Sequence, residues 1–440
     1  MKGGRQAATA ENIPRIDRPR IDRRRVVAGA GATALATALP RPLRAQAAAR
    51  GVVIGGGFGG TTVARFLRRA DPSVDVTLVE PNETYTSCPF SNLVLGGLRG
   101  LEDQRFGYEA ITAEGVRITR TAAEDVDPVA RRVMLATGDV LDYDRLVMAP
   151  GVELVWGALE GYDRAAAERM PHAWKAGPQT ALLAAQLEAM EDGGTVVIAP
   201  PASPYRCPPG PYERASMIAH FLKDRKPRAK ILILDAKERF SKQALFQQGW
   251  DTHYPGMIEW VAVSMGGGVI GVDPGANAIL TDFETVEADV ANIIPPQRAA
   301  TIAGRAGVAD ASGWCPIEPL TFESTLQPGI HILGDAAIAN AMPKSAFSAN
   351  SQGKVLAVQL ARLLAGEAPV ETVLLNTCYS LIAPGHGISI AGAYRPGENA
   401  IEPVEGAGGV SPIDGGAKAR ALEARYGADW FAAITAEVFG

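Results

Sequence analysis

Short apolar runs that alternate with amphipathic segments indicate an α/β protein. Val52–Ile54 and Val76–Val79 have the length and β-branched composition of buried strands. Thr61–Arg69, which lies between them, has the residue pattern of a helix. The strand pattern returns at Thr195–Ala199 and Ile231–Leu234. The chain is therefore predicted to contain two units of strand, helix and parallel strand.

The turn after the first strand is rich in glycine. Gly55, Gly57 and Gly60 lie in the sequence GGGFGG, where they supply a tight turn, close approach to a pyrophosphate and close packing of helix on strand. Glu80 follows the second strand at the distance where a carboxylate accepts ribose hydroxyls. This order of features predicts a dinucleotide site, and it leaves both NAD and FAD open.

Two later segments resemble parts of two-domain flavoprotein reductases and favour FAD. Tyr143–Gly151 is similar to the strand and small-residue turn that close the nucleotide domain of that class. Gly329–Ala336 is similar to its strand ending in Gly-Asp, which implies that Gly334 and Asp335 lie at the ribityl and phosphate region of the flavin. The FAD domain would then be split by inserted material.

The inserted material lacks a glycine turn after its first strand. Residues 200–211 read PPASPYRCPPGP. Because proline has no N–H, this turn cannot present the row of backbone donors that holds a pyrophosphate. We expect a domain of the NAD-binding shape without its phosphate loop, and electrons that do not come from NAD(P)H.

The N-terminal region differs from the rest of the chain. A basic stretch, Arg15–Arg25, precedes the apolar run Val26–Leu39 and the small-residue pattern Ala45–Ala47. This order predicts a twin-arginine export signal over residues 1–47, and hence a periplasmic protein. A disordered basic terminus of a cytoplasmic protein is the alternative. No later stretch is long and apolar enough for a membrane span, so no integral membrane contact is expected.

Composition and motif spacing argue against nucleic-acid binding, a metal site and haem attachment by this chain. The 440 residues are 47% hydrophobic and 21% charged, with a net charge of −5, which is typical of a soluble multidomain protein and offers no basic footprint for nucleic acid. The five histidines show no metal-ligand spacing, so no metal site is predicted. The four cysteines include no Cys-x-x-Cys-His motif, so this chain does not itself attach a c-type haem.

Longer motifs resemble the flavoprotein subunit of flavocytochrome c sulfide dehydrogenase. They are spread over the chain after the N-terminal region: YRCPPGPYERAS (205–216), IPPQRA (294–299), GWCP (313–316), PKS (343–345), SANSQGK (348–354) and LNTCYS (375–380). The resemblance implies a periplasmic enzyme that oxidises sulfide to sulfur or polysulfide. Its electrons would pass through a cysteine disulfide and FAD to a c-type cytochrome, which is a partner subunit and carries the haem.

The resemblance also implies roles for the cysteines. Cys88 falls where the family links FAD through an 8α-thioether, although Pro89-Phe90 departs from the family's Tyr-Leu type pair; an unmodified thiol is the alternative. Cys207 and Cys378 match the redox-active disulfide, and a purely stabilising disulfide, worth roughly 5 kcal/mol by chain entropy, is the alternative. Cys315 is expected to be a packed thiol.

Two charged residues are further catalytic candidates. Glu213 is the acid nearest to Cys207 in sequence and is expected to act as general acid or base, with helix capping as the alternative. Lys344 is a candidate to stabilise a leaving thiolate or the reduced flavin, with a solvated loop residue as the alternative. We expect hydrosulfide to attack one sulfur of the bridge, which leaves a persulfide and a thiolate.

The predicted architecture is a glutathione reductase-like flavoprotein with two dinucleotide-binding domains. After the signal, its parts are the first part of the FAD domain (48–165), the NAD-binding-like domain with Cys207 (166–290), the second part of the FAD domain (291–360) and the C-terminal α+β interface domain with Cys378 (361–440).

Two rival functions stay open. One is a sulfide:quinone reductase, although residues 417–440 have the pattern of a helix packed on its own core. The other is a flavoprotein accessory to periplasmic thiosulfate oxidation.

Overall fold

Two parallel sheets organise the part of the chain that the computed structural model describes, residues 48–440. The export signal predicted for residues 1–47 lies outside the described residues. No helix within residues 48–440 combines the length and the hydropathy needed to cross a membrane.

The strands fall into three groups along the described chain. The first ten are β1 (Arg50–Ile54), β2 (Asp75–Val79), β3 (Tyr85–Thr86), β4 (Arg105–Phe106), β5 (Arg117–Thr119), β6 (Ala123–Asp127), β7 (Arg132–Leu135), β8 (Val140–Asp142), β9 (Arg145–Met148) and β10 (Val152–Leu154). The next seven are β11 (Thr195–Ala199), β12 (Lys230–Leu234), β13 (Ile258–Val261), β14 (Val269–Asp273), β15 (Ala278–Thr281), β16 (Thr285–Glu287) and β17 (Val290–Ile293). The last five are β18 (Gln297–Ala299), β19 (Ile330–Ile332), β20 (Leu374–Ala383), β21 (His386–Pro396) and β22 (Ile401–Val410).

The α-helices of the same residues lie between and after these strands. They are α1 (Phe58–Ala70), α2 (Asn92–Leu95), α3 (Glu109–Ala113), α4 (Pro178–Ala189), α5 (Gly210–Arg225), α6 (Gln243–His253), α7 (Thr301–Arg305), α8 (Ala346–Leu364) and α9 (Gly416–Val438).

The first sheet has the strand order β19-β9-β1-β2-β5, and all its pairs are parallel. Its central strand β1 is buried from Gly51 to Ile54 because helices cover both faces of such a sheet. Strand β19, from the far side of the inserted material, pairs with β9 through Ile330 and Leu146. The first sheet is thus built from two separate parts of the chain, as the split FAD domain requires, and the predicted fold class is confirmed.

The second sheet has the parallel order β13-β12-β11-β17. It repeats the strand, helix and strand unit of the first sheet, with α5 in place of α1. The connection differs: three residues (55–57) join β1 to α1, whereas ten residues (200–209) join β11 to α5. The second unit therefore has the nucleotide-binding topology with a long, proline-rich loop where a glycine turn is usual.

The C-terminal part is an antiparallel sheet, β20-β21-β22, followed by the long helix α9. Ile382 and Ile388 of this sheet share a hydrophobic core with Tyr212 and Phe246 of the second unit. Strand β20 is thereby packed against α5, and residues near Cys378 meet residues near Cys207.

Candidate functional site

The turn between β1 and α1 fits a dinucleotide because two glycines allow an approach that no other residue permits. A Cβ atom on Gly60 would lie 2.0 Å from the Gly55 carbonyl oxygen. A Cβ on Gly55, whose φ is +102°, would lie 2.3 Å from the Ala149 oxygen. The N-terminus of α1 can therefore come close to the sheet edge, where its N–H groups and dipole favour a phosphate.

Glu80 is fixed at the edge of this turn. Its Oε2 accepts a hydrogen bond from the Gly56 N–H at 2.8 Å. Its Oε1 accepts from the backbone and side-chain nitrogens of Asn82 at 2.9 and 2.6 Å. The carboxylate keeps further lone pairs for ribose hydroxyls, as the position of this acid after β2 predicts.

A cavity of about 580 Å³ joins this turn to the second unit and the C-terminal sheet. Most of the predicted site residues line it: Gly55, Gly57, Glu80, Cys88, Cys207, Glu213, Gly334, Asp335 and Cys378. Gly60 and Lys344 do not line it. The fold thus brings together residues that are up to about three hundred positions apart in the chain.

Asp335 is the clearest sign that this cavity holds a polar ligand. Its Oδ1 is buried and has no hydrogen-bond partner within residues 48–440. Burial raises the pKa of Asp335, while the charges of Arg206 and Lys344 oppose that rise. A buried acceptor without a donor is costly, and a ligand hydroxyl would satisfy it. The glycine turn, Glu80 and Asp335 together fit FAD.

A Gly60→Ala substitution tests the fit of the turn. The added methyl group would force α1 away from β1, because the obstructing Gly55 oxygen belongs to the backbone. We expect about tenfold less flavin per protein by absorbance. Gly304→Ala, on an exposed helix position with nothing within 4 Å, is the matched control and should keep full flavin content. Equal flavin in both variants would contradict the assignment of this turn.

Cys207 and Cys378 meet at the cavity wall. Cys207 lies on the loop before α5 with φ +57°, and Cys378 lies within β20 and is 9% exposed. Burial raises the pKa of the Cys207 thiol well above its usual range, and negative charge on Cys378 and Glu213 raises it further. The structure holds both residues as thiols, and the predicted disulfide between them stays a prediction.

Glu213 lies in the first turn of α5 and points to the same wall. Its Oε2 accepts from Asn92 Nδ2 at 2.9 Å, and its Oε1 accepts from the Leu381 N–H at 2.9 Å. Burial raises the pKa of Glu213, and these hydrogen bonds and the charge of Lys242 oppose that rise. A carboxyl with a raised pKa beside two thiols suits proton transfer.

The amine of Lys344 is bonded beside Asp335 rather than to either thiol, and its predicted role at the reduced flavin stays a prediction. Its Nζ donates to the carbonyl oxygens of Asp335 and Ala337, both at 2.8 Å, and lies 3.9 Å from the centre of the Trp314 ring. Burial lowers the pKa of Lys344 to about 8. Its amine thus bonds the segment after β19, and its carbonyl accepts a backbone hydrogen bond from the Cys207 N–H at 2.9 Å.

Sequence reasoning missed the cation that lies beside the thiols. Lys242 Nζ donates to the Cys378 carbonyl at 2.9 Å and to Ser380 Oγ at 2.8 Å. Burial lowers the pKa of Lys242 to about 8, although negative charge on Cys378, Glu213 and Cys207 opposes the shift. No signal in the sequence singles out this lysine, which is 136 residues from Cys378.

The other two cysteines occupy different environments. Cys88 is half-buried at the cavity, with its Sγ 3.8 Å from the Trp174 carbonyl oxygen. Cys315 is completely buried in the core of the first sheet, and burial raises the pKa of its thiol to about 12. Cys88 is therefore accessible to a ligand in the cavity, whereas Cys315 is packed.

The position that would bind a second nucleotide ribose is filled by protein side chains. Asp235 follows β12 as Glu80 follows β2, and it is fully buried. Its carboxylate accepts from Tyr212 Oη at 2.5 Å, Trp260 Nε1 at 2.9 Å and Lys237 Nζ at 2.5 Å. The Asp235 carboxylate is therefore bonded within the protein, and the absence of a nicotinamide nucleotide from the second unit stays a prediction.

Comparison with known families identifies three matching regions. Residues 49–172 match the pyridine nucleotide-disulphide oxidoreductase family. Residues 180–295 match the central region of the sulfide dehydrogenase [flavocytochrome c] flavoprotein chain, and residues 370–439 match the flavin-binding region of flavocytochrome c sulphide dehydrogenase.

Solved structures show the same fold. The sulfide:quinone oxidoreductase of Aquifex aeolicus superposes with a TM-score of 0.70 at 19% identity, over 89% of this chain and 92% of that one. A putidaredoxin reductase in complex with putidaredoxin superposes with a TM-score of 0.62 at 17% identity, over 86% and 94%.

Sequence identity to two curated proteins shows the family to which the chain belongs. The mitochondrial sulfide:quinone oxidoreductase of Mus musculus is 20% identical over 73% of this chain and 72% of its own length. The sulfide dehydrogenase [flavocytochrome c] flavoprotein chain of Chlorobaculum thiosulfatiphilum is 60% identical over 45 residues, which are 10% of this chain and 94% of that sequence. These matches confirm the resemblance that the cysteine motifs predict. The chain belongs to the family of flavocytochrome c sulfide dehydrogenase flavoprotein chains.

Proposed function

We propose that this protein is a periplasmic FAD-dependent sulfide dehydrogenase that passes electrons to a c-type cytochrome partner. The observation that carries the proposal is the convergence of Cys207 and Cys378 on the cavity that also contains the glycine turn, Glu80 and Asp335. A thiol pair beside a dinucleotide cavity suits oxidation of a sulfur nucleophile.

Different residues would bind the flavin, react with sulfide and transfer the proton. FAD, when bound, supplies a two-electron acceptor; Glu80, Gly334 and Asp335 would hold it. The Cys207–Cys378 disulfide would accept hydrosulfide, because a disulfide sulfur is open to attack by a sulfur anion. Glu213 would exchange the proton between the incoming sulfide and the thiols, since its pKa is raised by burial.

One observation favours a cytochrome over a quinone as the acceptor. Family membership is with the flavocytochrome chain, although sulfide:quinone oxidoreductases are also relatives. The C-terminal helix α9 does not decide between the acceptors, because it also lines an apolar cavity with Phe431 and Phe439. A role in support of thiosulfate oxidation would use the same site with a different sulfur donor.

Anaerobic stopped-flow kinetics test the function. Purified flavin-loaded protein is mixed with sulfide, with NADH, and with sulfide plus either a c-type cytochrome or a short-chain quinone. We expect the flavin absorbance to bleach with sulfide and not with NADH, and the cytochrome to be reduced in preference to the quinone. Bleaching by NADH alone would overturn the proposal, and preferred quinone reduction would replace the acceptor.

Covalent attachment of FAD through Cys88 is tested by denaturation. If the 8α-thioether forms, acid-precipitated protein should keep its flavin, whereas a Cys88→Ala variant should release it to the supernatant. The thiol lines the cavity that would hold the flavin. A Cys315→Ala variant, changed in the buried core, is the matched control and should behave like the unaltered protein. Complete release from the unaltered protein would remove the covalent link from the proposal.

A further inference from the structure

The environments of the two thiols are unequal, which bears on the direction in which their disulfide opens. Asn376, two residues before Cys378 on β20, has its amide orientation fixed by two serines. Its Oδ1 accepts from Ser345 Oγ at 2.6 Å and from Ser348 Oγ at 3.1 Å. Its Nδ2 donates to the Cys378 sulfur at 3.4 Å and is closer to it than Oδ1, which accepts from the Cys378 thiol at 3.7 Å. A sulfur that accepts a hydrogen bond is stabilised as an anion.

A second group adds positive charge on the same side. Lys242 Nζ bonds the carbonyl of Cys378 itself and the hydroxyl of Ser380, so the ammonium is held against this stretch of β20. Lys242 is only 8% exposed, and its charge is therefore poorly screened by solvent. The titratable groups that interact with Cys378 are Cys207, Glu213 and Lys242, together with Tyr394 of β21.

The Cys207 sulfur accepts no hydrogen bond from residues 48–440, even though it lies before a helix N-terminus, and the cations that interact with it are Arg206 and, more weakly, Lys242. Three of the nearby residues, at positions 208, 209 and 211, are prolines without an N–H. The N–H groups of Gly210, Tyr212 and Glu213 are already donated to the carbonyls of Cys207 and Pro209. The start of α5 thus has no free backbone donor in its first turn for a thiolate, and the neighbouring Glu213 disfavours negative charge there.

We propose that Asn376 and Lys242 make Cys378 the leaving sulfur, so that hydrosulfide attacks Cys207 and the persulfide forms on Cys207. This inference rests on the proposed function for its substrate. In the step, a bond forms between the hydrosulfide sulfur and Cys207 Sγ while the Cys207–Cys378 bond breaks. The electron pair of the broken bond stays on Cys378 as a thiolate. Sulfide is oxidised to the persulfide level, the disulfide is reduced, and the total charge of −1 is unchanged.

The pH dependence of alkylation tests, without sulfide, whether Cys378 is a better stabilised thiolate than Cys207. The flavin-loaded protein is reduced under anaerobic conditions and pulsed with iodoacetamide between pH 6 and 10, and both cysteine peptides are quantified by mass spectrometry. We expect the alkylation rate of Cys378 to reach half its maximum at a lower pH than that of Cys207. A lower midpoint for Cys207 would overturn the proposal, because the midpoint reports the thiolate and not access.

Variants separate charge stabilisation from structure. Lys242→Met and Asn376→Asp should each slow alkylation of Cys378 at pH 7 about tenfold, equal to one pH unit in its midpoint, and should shift the midpoint of Cys207 by less, because Lys242 interacts more weakly with Cys207 than with Cys378. Asn376→Asp keeps the oxygen that the serines require. Lys242→Arg should restore most of the rate, and Lys237→Met, a buried lysine paired with Asp235, is the matched control. An unchanged Cys378 midpoint in both variants would overturn the proposal.

An experiment with sulfide separates failure of this inference from failure of the proposed function. The oxidised protein receives one equivalent of sulfide, and persulfide-selective tagging locates the added sulfur. A tag on Cys207 supports the inference, and a tag on Cys378 overturns it. If the protein does not react with sulfide, the proposed function fails, while the alkylation midpoints still decide whether Cys378 is the stabilised thiolate.

Discussion

Cys207→Ser and Cys378→Ser variants are each expected to lose sulfide-dependent cytochrome reduction by at least about a thousandfold, because neither can form the disulfide that hydrosulfide attacks. A serine hydroxyl is close in size to the thiol, so the cavity should keep its shape. The measurement is steady-state reduction of a c-type cytochrome under anaerobic conditions, with the flavin content of each variant determined first.

Cys315→Ala provides the control for this pair. The side chain is buried in the core of the first sheet and does not line the cavity. It should retain turnover within about twofold, since the change removes one small group away from the site. A Cys378→Ser variant with full turnover would show that electrons reach the flavin without the disulfide, and would remove the pair from the mechanism.

An Arg214→Met variant should lower the free energy of unfolding by at least about 3 kcal/mol. Arg214 is 2% exposed, and its guanidinium donates to the carbonyls of His172 and Ala173 and to the side chains of Asn92 and Asn292. Methionine would leave the Ala173 carbonyl and the two asparagine oxygens without this donor, whereas the His172 carbonyl keeps its bond from Asn292 Nδ2. Urea unfolding followed by tryptophan fluorescence measures the change.

Arg225→Met is the matched control for that substitution. It lies on the same helix, removes the same charge, and is exposed at the helix end. Its effect should stay within about 0.5 kcal/mol. The loop that Arg214 holds carries Trp174, whose ring lies 5.0 Å from the guanidinium and whose carbonyl faces Cys88. Equal stability of the two variants would contradict the structural role assigned to Arg214.

The fold could be predicted because its signals are local. The strand runs at Val52 and Thr195 each bury their side chains in a parallel sheet, and the residues that follow each run decide whether a phosphate can bind. Gly60 is required by contact with a residue only five positions away. The long proline loop before α5 is likewise visible in the sequence, and it replaces the short turn that a nicotinamide nucleotide requires.

The electrostatics of the thiol pair could not be predicted in the same way. Lys344 is the lysine of a recognisable motif, yet its amine bonds carbonyls after β19. Lys242 lies in an undistinguished segment, and only the packing of the C-terminal sheet on the second unit brings it to Cys378. Asn376 stands within a matched motif, but its donor is aimed at sulfur by two serines near the start of α8. Such contacts depend on tertiary structure, and no periodic pattern in the sequence predicts them.

The side chains around Asp235 also determine which substitutions a nucleotide would need in order to bind to the second unit. Restoring glycines after β11 would leave the Asp235 carboxylate bonded to Tyr212, Trp260 and Lys237, with the Tyr212 ring stacked on Phe240 at 3.6 Å. Each of these side chains would have to change before a nucleotide could enter, and each change alone would leave buried polar groups unpaired. Binding of a nicotinamide nucleotide by the second unit therefore requires several substitutions at once, because each of them alone lowers the stability of the protein.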